Sequence, residues 1–193
     1  MRKFALWMLF WTGVAQAGDP RALVEDVFAK AAREAVKSDA ALQAEVSSRV
    51  DFPAMARSVL AKEKGVPPAE AAWFTATLQE IITRTVYPKA PDFLSGVRIE
   101  YRGEKVAGRK AVVKSVVQNK SDVTDVDYRL EQGKDGGWKV VDVALDGESW
   151  VDSIRDEVRD TLRKEKWSGL KKRMLKRLDE LRRDSSVASN PKT

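Results

Sequence analysis

The apolar residues of this chain change their repeat near residue 95 and change it back after Gly147, and the first switch restricts the fold more than any other feature. Upstream they recur at three- and four-residue steps, which suits helices buried along one stripe; downstream they alternate, which suits strands buried on one face. Asp19-Pro20 reads as a cap followed by proline at the first helical position, and Leu23, Val24, Val27, Phe28 and Ala31 then form one stripe. A second helix is expected from about Asp39 to Ser48. Asp51 caps a third, with Pro53 in its first turn and Met55, Ala56, Val59 and Leu60 on its buried side. Pro67-Pro68 starts a fourth, in which Phe74, Leu78, Ile81, Ile82 and Val86 face inward, and Pro88 and Pro91 end it.

In the second half Val97, Ile99 and Tyr101 alternate with Arg98, Glu100 and Arg102, so this segment is a half-buried strand. Gly103 and Gly108 punctuate it; Lys110 to Gln118 and Thr124 to Gln132 follow as second and third strands, and Trp138 opens the fourth. Short turns between four consecutive strands make an antiparallel meander. The expected class is α+β: a four-stranded antiparallel curved sheet covered by helices on one face, after an N-terminal helical subdomain and before long C-terminal helices. Those last helices carry Val151, Ile154, Val158 and Leu162 on one stripe and Leu170, Met174, Leu178 and Leu181 on another, interrupted at Ser168-Gly169. One domain is expected over residues 18–183, with residues 184–193 as a disordered tail.

Residues 1–17 read as a secretory signal peptide: Arg2 and Lys3, an apolar core from Phe4 to Trp11, and the small-x-small site Ala15-Gln16-Ala17. The alternative is an uncleaved anchor, for which the apolar core is short. Cleavage would export a soluble protein of 176 residues, enough for one sizeable core. Cysteine and histidine are absent, which excludes disulfides, a lipoprotein anchor and zinc sites built on those residues; no metal or cofactor is expected. The positive charge collects at the end, where Arg155 to Arg183 holds twelve basic and six acidic residues. Such a segment is either a solvated helix face or a surface that docks on something acidic.

The run Trp138-Lys139-Val140-Val141-Asp142-Val143, followed by Gly147-Glu148-Ser149, resembles the signature of the MlaC, or toluene-tolerance, family. Val50-Asp51-Phe52-Pro53, Met55-Ala56, Val59-Leu60, a helix from Phe74 to Tyr87, Arg155 and Gly169-Leu170 are similar to further family segments in the same order. The chain departs from the pattern at Ala61, Ile154 and Val158, where glycine, tyrosine and phenylalanine are usual. The resemblance implies a fold similar to nuclear transport factor two and a monomeric periplasmic carrier of phospholipid, with no enzymatic activity. It also implies two partners that maintain outer-membrane lipid asymmetry: an inner-membrane lipid ABC transporter with a substrate-binding ring, and an outer-membrane lipoprotein–porin complex.

A lipid carrier needs a dry cavity, a wet mouth and docking surfaces. The residues offered to line the cavity are Phe28, Met55, Phe74, Leu78 and Ile82 from helices, with Ile99, Tyr101, Val113, Val117, Tyr128 and Leu130 from strands. Ordinary α+β cores contain the same residue types. Lys171, Lys172, Arg173, Lys176 and Arg177 are the expected docking face. Asp51, Asp142 and Asp146 read as structural carboxylates, Trp138 and Trp150 as core or rim, and Trp73 and Trp167 as surface anchors. Three alternatives remain: an adaptor with a filled interior, a carrier of another hydrophobic ligand such as a hopanoid, and an isomerase built on Asp51 with Tyr101 or Tyr128.

Overall fold

The structure, a computed structural model, describes residues 18–188, with side chains to Asp184. The leader read at residues 1–17 lies outside the described residues. The described elements are α1 (Pro20–Ala31), a 3-10 turn (Glu34–Lys37), α2 (Ala40–Ser48), α3 (Phe52–Leu60), α4 (Pro68–Val86), α5 (Ala90–Ser95), β1 (Val97–Ala107), β2 (Lys110–Asn119), β3 (Asp122–Gln132), β4 (Trp138–Leu145), β5 (Glu148–Ser149) and α6 (Trp150–Ala188). Carboxylates cap the first three α-helices, at Asp19 and Asp51 as expected and at Asp39 as well. Asp19 accepts from the backbone N–H of Arg21 (2.8 Å), Asp39 from Ala41 (2.9 Å), and Asp51 from Ala54 (2.8 Å). Each cap stabilises its helix by about 1 kcal/mol.

The sheet is antiparallel in the order β1-β2-β3-β4-β5, so the α+β class holds but the strand number is five rather than four. The extra strand is a two-residue return, Glu148–Ser149, pairing with Leu145 and Ala144. Asp146 (φ 49°) and Gly147 (φ 87°) turn the chain tightly enough to bring it back. Two register shifts were invisible to strict alternation. One lies between Tyr101 and Gly103, and lets β1 run on past Gly103. The other sets Leu130 opposite Val140 but Arg129 opposite Asp142, which leaves Val141 as the extra residue of β4. Because of it, Val140, Val143 and Leu145 share the face of Val126, Tyr128 and Leu130, while Asp142 and Ala144 point the other way.

Pro91 does not end helical structure. It sits in the first turn of α5, where a missing N–H is no loss. The final helix is broken at Lys166 (φ 60°, ψ −171°), two residues before the expected interruption. The break folds Glu165 over Gly169 so closely that a Cβ there would collide with it. The helix continues to Ala188, the last residue described.

Two main apolar clusters result. Phe52, Met55, Val59, Phe74 and Leu78 from α3 and α4 pack against Val151, Val158, Leu162, Leu170 and Met174 of α6. Val24 of α1 packs on Ala111, Val113, Val126, Tyr128, Leu130, Trp138 and Val140 of the sheet. A cavity lies where these clusters do not meet.

Candidate functional site

The cavity has two lobes that share Phe28, Phe93, Leu94 and Val143. The larger, about 440 Å³, is walled by Val27 and Ala31 of α1, Val46 of α2, Phe52 and Met55 of α3, Ile82, Thr83 and Val86 of α4, and Ala90 of α5. Val50, Tyr87, Lys89, Val140 and Trp150 complete it. The smaller, about 260 Å³, lies over the sheet between Ile99, Val117, Thr124, Val126, Tyr128 and Leu145. Each lobe approaches or falls within the roughly 300–1,000 Å³ of small-molecule sites, and together they lie inside that range.

Apart from Lys89 the wall is predominantly apolar, and side-chain contacts tie its elements together. Phe28 meets Tyr128 edge-on, with centroids 5.4 Å apart and planes at 70°. The Tyr128 hydroxyl accepts from Ser115 Oγ at 3.2 Å. Tyr87 hydrogen-bonds Ser47 Oγ at 2.6 Å and donates to the Gln43 carbonyl at 3.1 Å, which ties the end of α4 to α2. Burial raises both phenols above their ordinary range. It pushes Tyr101, on β1, up to about 12. Among the described residues lining either lobe, Lys89 is the one charged side chain, and it stands exposed at the opening.

Of the eleven expected lining residues, six border the cavity: Phe28, Met55, Ile82, Ile99, Val117 and Tyr128. Five do not. Phe74 and Leu78 are sealed between α3, α4 and α6, and Val113 and Leu130 are sealed beneath α1. Tyr101 lies under the Arg21 guanidinium, 5.2 Å from its ring centroid. The residues missed are spread over every wall, and those on α5 and β4 have a clear cause. Phe93 and Leu94 fell in a stretch read as a stop, and Val143 required the Val141 bulge to reach the cavity face. Trp150 is at the rim, Trp138 is core, and Trp73 and Trp167 are partly buried against the helical core rather than free surface anchors.

Behind the sheet the signature residues form a clasp. Asp142, buried, accepts from Ser149 Oγ (2.6 Å), from the backbone N–H of Val151 (3.0 Å) and from Arg129 (2.8 Å). Ser149 Oγ in turn accepts from the N–H of Asp152 at 3.1 Å. These bonds satisfy the first turn of α6. Arg155 donates to the Ser58 carbonyl at 2.8 Å and locks α6 to α3. Asp51 caps α3, and its own N–H donates to the Val140 carbonyl at 2.9 Å. Asp51, Tyr101 and Tyr128 are thus engaged with three different sets of neighbours. Asp146 accepts from the N–H of Asp125 at 2.9 Å and closes the turn.

The expected basic face is partly neutralised within the molecule. Lys171 pairs with Glu70 at 2.8 Å and lies over the Trp73 ring, Arg173 pairs with Glu165, and Arg177 pairs with Glu180 at 3.5 Å. Arg173 holds the Glu165 carboxyl below its ordinary range. Lys172 and Lys176 flank the exposed Leu175 on an open groove that Ser168, Asp179 and Arg183 complete. Among the described residues no helix is long and apolar enough to cross a membrane.

A family model described as MlaC protein matches residues 22–176. No curated protein matches the chain. Among solved structures, the chain is similar to a phospholipid-binding protein from Ralstonia solanacearum in complex with a phospholipid. The TM-score is 0.66 at 20% identity, covering 83% of this chain and 95% of that one. At that identity the likeness is one of fold.

Proposed function

The chain belongs to the MlaC family, and from that membership we propose that it carries phospholipid, holding acyl chains in the two-lobed cavity and leaving the headgroup in water. The observation that carries this reading is the cavity: adjoining apolar lobes of about 440 and 260 Å³ that open beside Lys89. An adaptor would have its interior filled. Burying each methylene is worth about 0.8 kcal/mol, so apolar walls suffice for binding and no catalytic group is required. The phospholipid-bound Ralstonia protein supports the reading through its fold.

In this reading the protein works in the periplasm, in a cone similar to nuclear transport factor two. It receives and delivers lipid by contact with an inner-membrane ABC transporter and an outer-membrane lipoprotein–porin complex. Transfer through water would forfeit the burial energy. Lys172 and Lys176, with Lys171, Arg173 and Arg177 beside them, form one docking face. The test is native mass spectrometry of protein exported with its own leader, followed by organic extraction. A stoichiometric phospholipid supports the carrier, a hopanoid would change the cargo, and an apo mass that takes up no added lipid would refute it.

A further inference from the structure

Five residues that line the two lobes are exposed: Val86, Lys89, Phe93, Leu145 and Trp150. Four are apolar, and their side chains are 40–54% accessible around the opening. The fifth is a cation. Its backbone N–H donates to the Val86 carbonyl at 3.0 Å, and its carbonyl accepts from Phe93 N–H at 3.0 Å, so the position is fixed between two rim residues. The nearby carboxylate on α5, Asp92, is engaged by Lys37 at 3.2 Å. Among the described residues no ion pair is formed by the Lys89 ammonium, and the residue is exposed beside the opening.

We propose that Lys89 is the headgroup subsite of this cavity and biases it toward two-tailed lipids whose headgroup is a net anion. The proposal rests on the carrier reading. It follows from where charge sits: a ligand with tails in both lobes must lead its polar end out past the apolar collar. The one charged group it meets there, among the described lining residues, is an ammonium. A phosphodiester with no compensating amine keeps its full attraction to that ammonium, whereas a zwitterionic headgroup carries its own cation into the same space. The pair stays in water, where exposed ion pairs contribute little, so the bias is about two- to fivefold, not absolute. Salt weakens it. A fatty-acid carboxylate offers similar charge on one tail, and its mass distinguishes it from a diacyl phospholipid.

The experiment compares wild type, Lys89→Gln, Lys89→Glu and the remote control Lys62→Gln, each exported in the same host. Bound lipid is weighed by native mass spectrometry and extracted. The ratio of anionic to zwitterionic phospholipid is then divided by that of the host membranes. Wild type and Lys62→Gln should be enriched in anionic lipid by about two- to fivefold. Lys89→Gln should return the ratio to that of the membrane, and Lys89→Glu should drive it lower. Equal ratios in all four proteins at full occupancy would overturn the proposal, as would fatty acid in place of phospholipid. A wild type that binds no lipid would instead overturn the carrier reading itself.

Discussion

Replacing Asp142 by alanine tests whether the Trp138–Ser149 signature acts as a clasp on α6. The carboxylate is 6% exposed and accepts three bonds, of which Ser149 Oγ (2.6 Å) and Val151 N–H (3.0 Å) are interior. The third comes from Arg129, whose side chain is 43% exposed, so water already shares that ion pair and its contribution is discounted. Bonds to an ionised acceptor are worth about 1.5–3 kcal/mol each, and the alanine variant strands a buried hydroxyl and a helix N–H. The expected loss is about 3–4 kcal/mol, a fall in Tm of about 6–16 °C for a domain of this size. Chemical unfolding monitored by circular dichroism reads it directly. A double-mutant cycle with Ser149→Ala should return a coupling of about 1–2 kcal/mol. A loss below about 1 kcal/mol for Asp142→Ala, within the range of ordinary surface changes, would refute the clasp.

Three further outcomes are expected. Val143→Trp places an indole where the two lobes meet; bound lipid should fall to a small fraction of wild type in native mass spectra while the chain still folds, at a strain cost of about 1–3 kcal/mol. Burial pushes Glu80 up, but the Arg84 and Arg182 guanidiniums outweigh it and hold its carboxyl below the ordinary range. A depressed carboxylate contributes stability above the unfolded value of 4.5 that is lost as pH falls through the folded value, so the advantage of wild type over Glu80→Gln should shrink on acidification below 4.5, read by urea unfolding at stepped pH. Charge reversal of Lys172 and Lys176 should weaken capture of one membrane partner in a salt-sensitive pull-down, and unchanged capture would remove that groove as the docking face.

What the residues revealed and what they hid divide along physical lines. Helix caps are local, so Asp19 and Asp51 were legible from a carboxylate at the start of an apolar stripe. Alternation in Val126, Tyr128 and Leu130 was legible because β3 keeps its pleat over that run. The Val141 bulge was not, since Lys-Val-Val-Asp-Val alternates equally well in either register until β3 pairs with it. The short helix α5 was hidden because a proline that stops one helix can also open another. Cavity and core were inseparable in principle. Phe28 and Phe74 are the same side chain at the same kind of helical position, and only the gap between the two apolar clusters leaves one lining a space and the other sealed.

That division explains what a family resemblance can and cannot carry. The signature residues Asp142, Ser149 and Arg155 hold α6 to the sheet and to α3, and they lie on the sheet face opposite the cavity residues Val140 and Val143. The pattern that marks the family therefore encodes that frame together with part of the cavity wall, since Val50, Phe52, Met55, Val140 and Val143 belong to it as well. The rest of the lining is apolar, where swaps that conserve volume cost little. Selection among lipids then has little to act on inside the lobes, where every methylene is worth the same. In the carrier reading it acts instead at the rim, where Val86, Lys89, Phe93 and Trp150 are exposed and, as proposed, a single charge biases what the opening attracts.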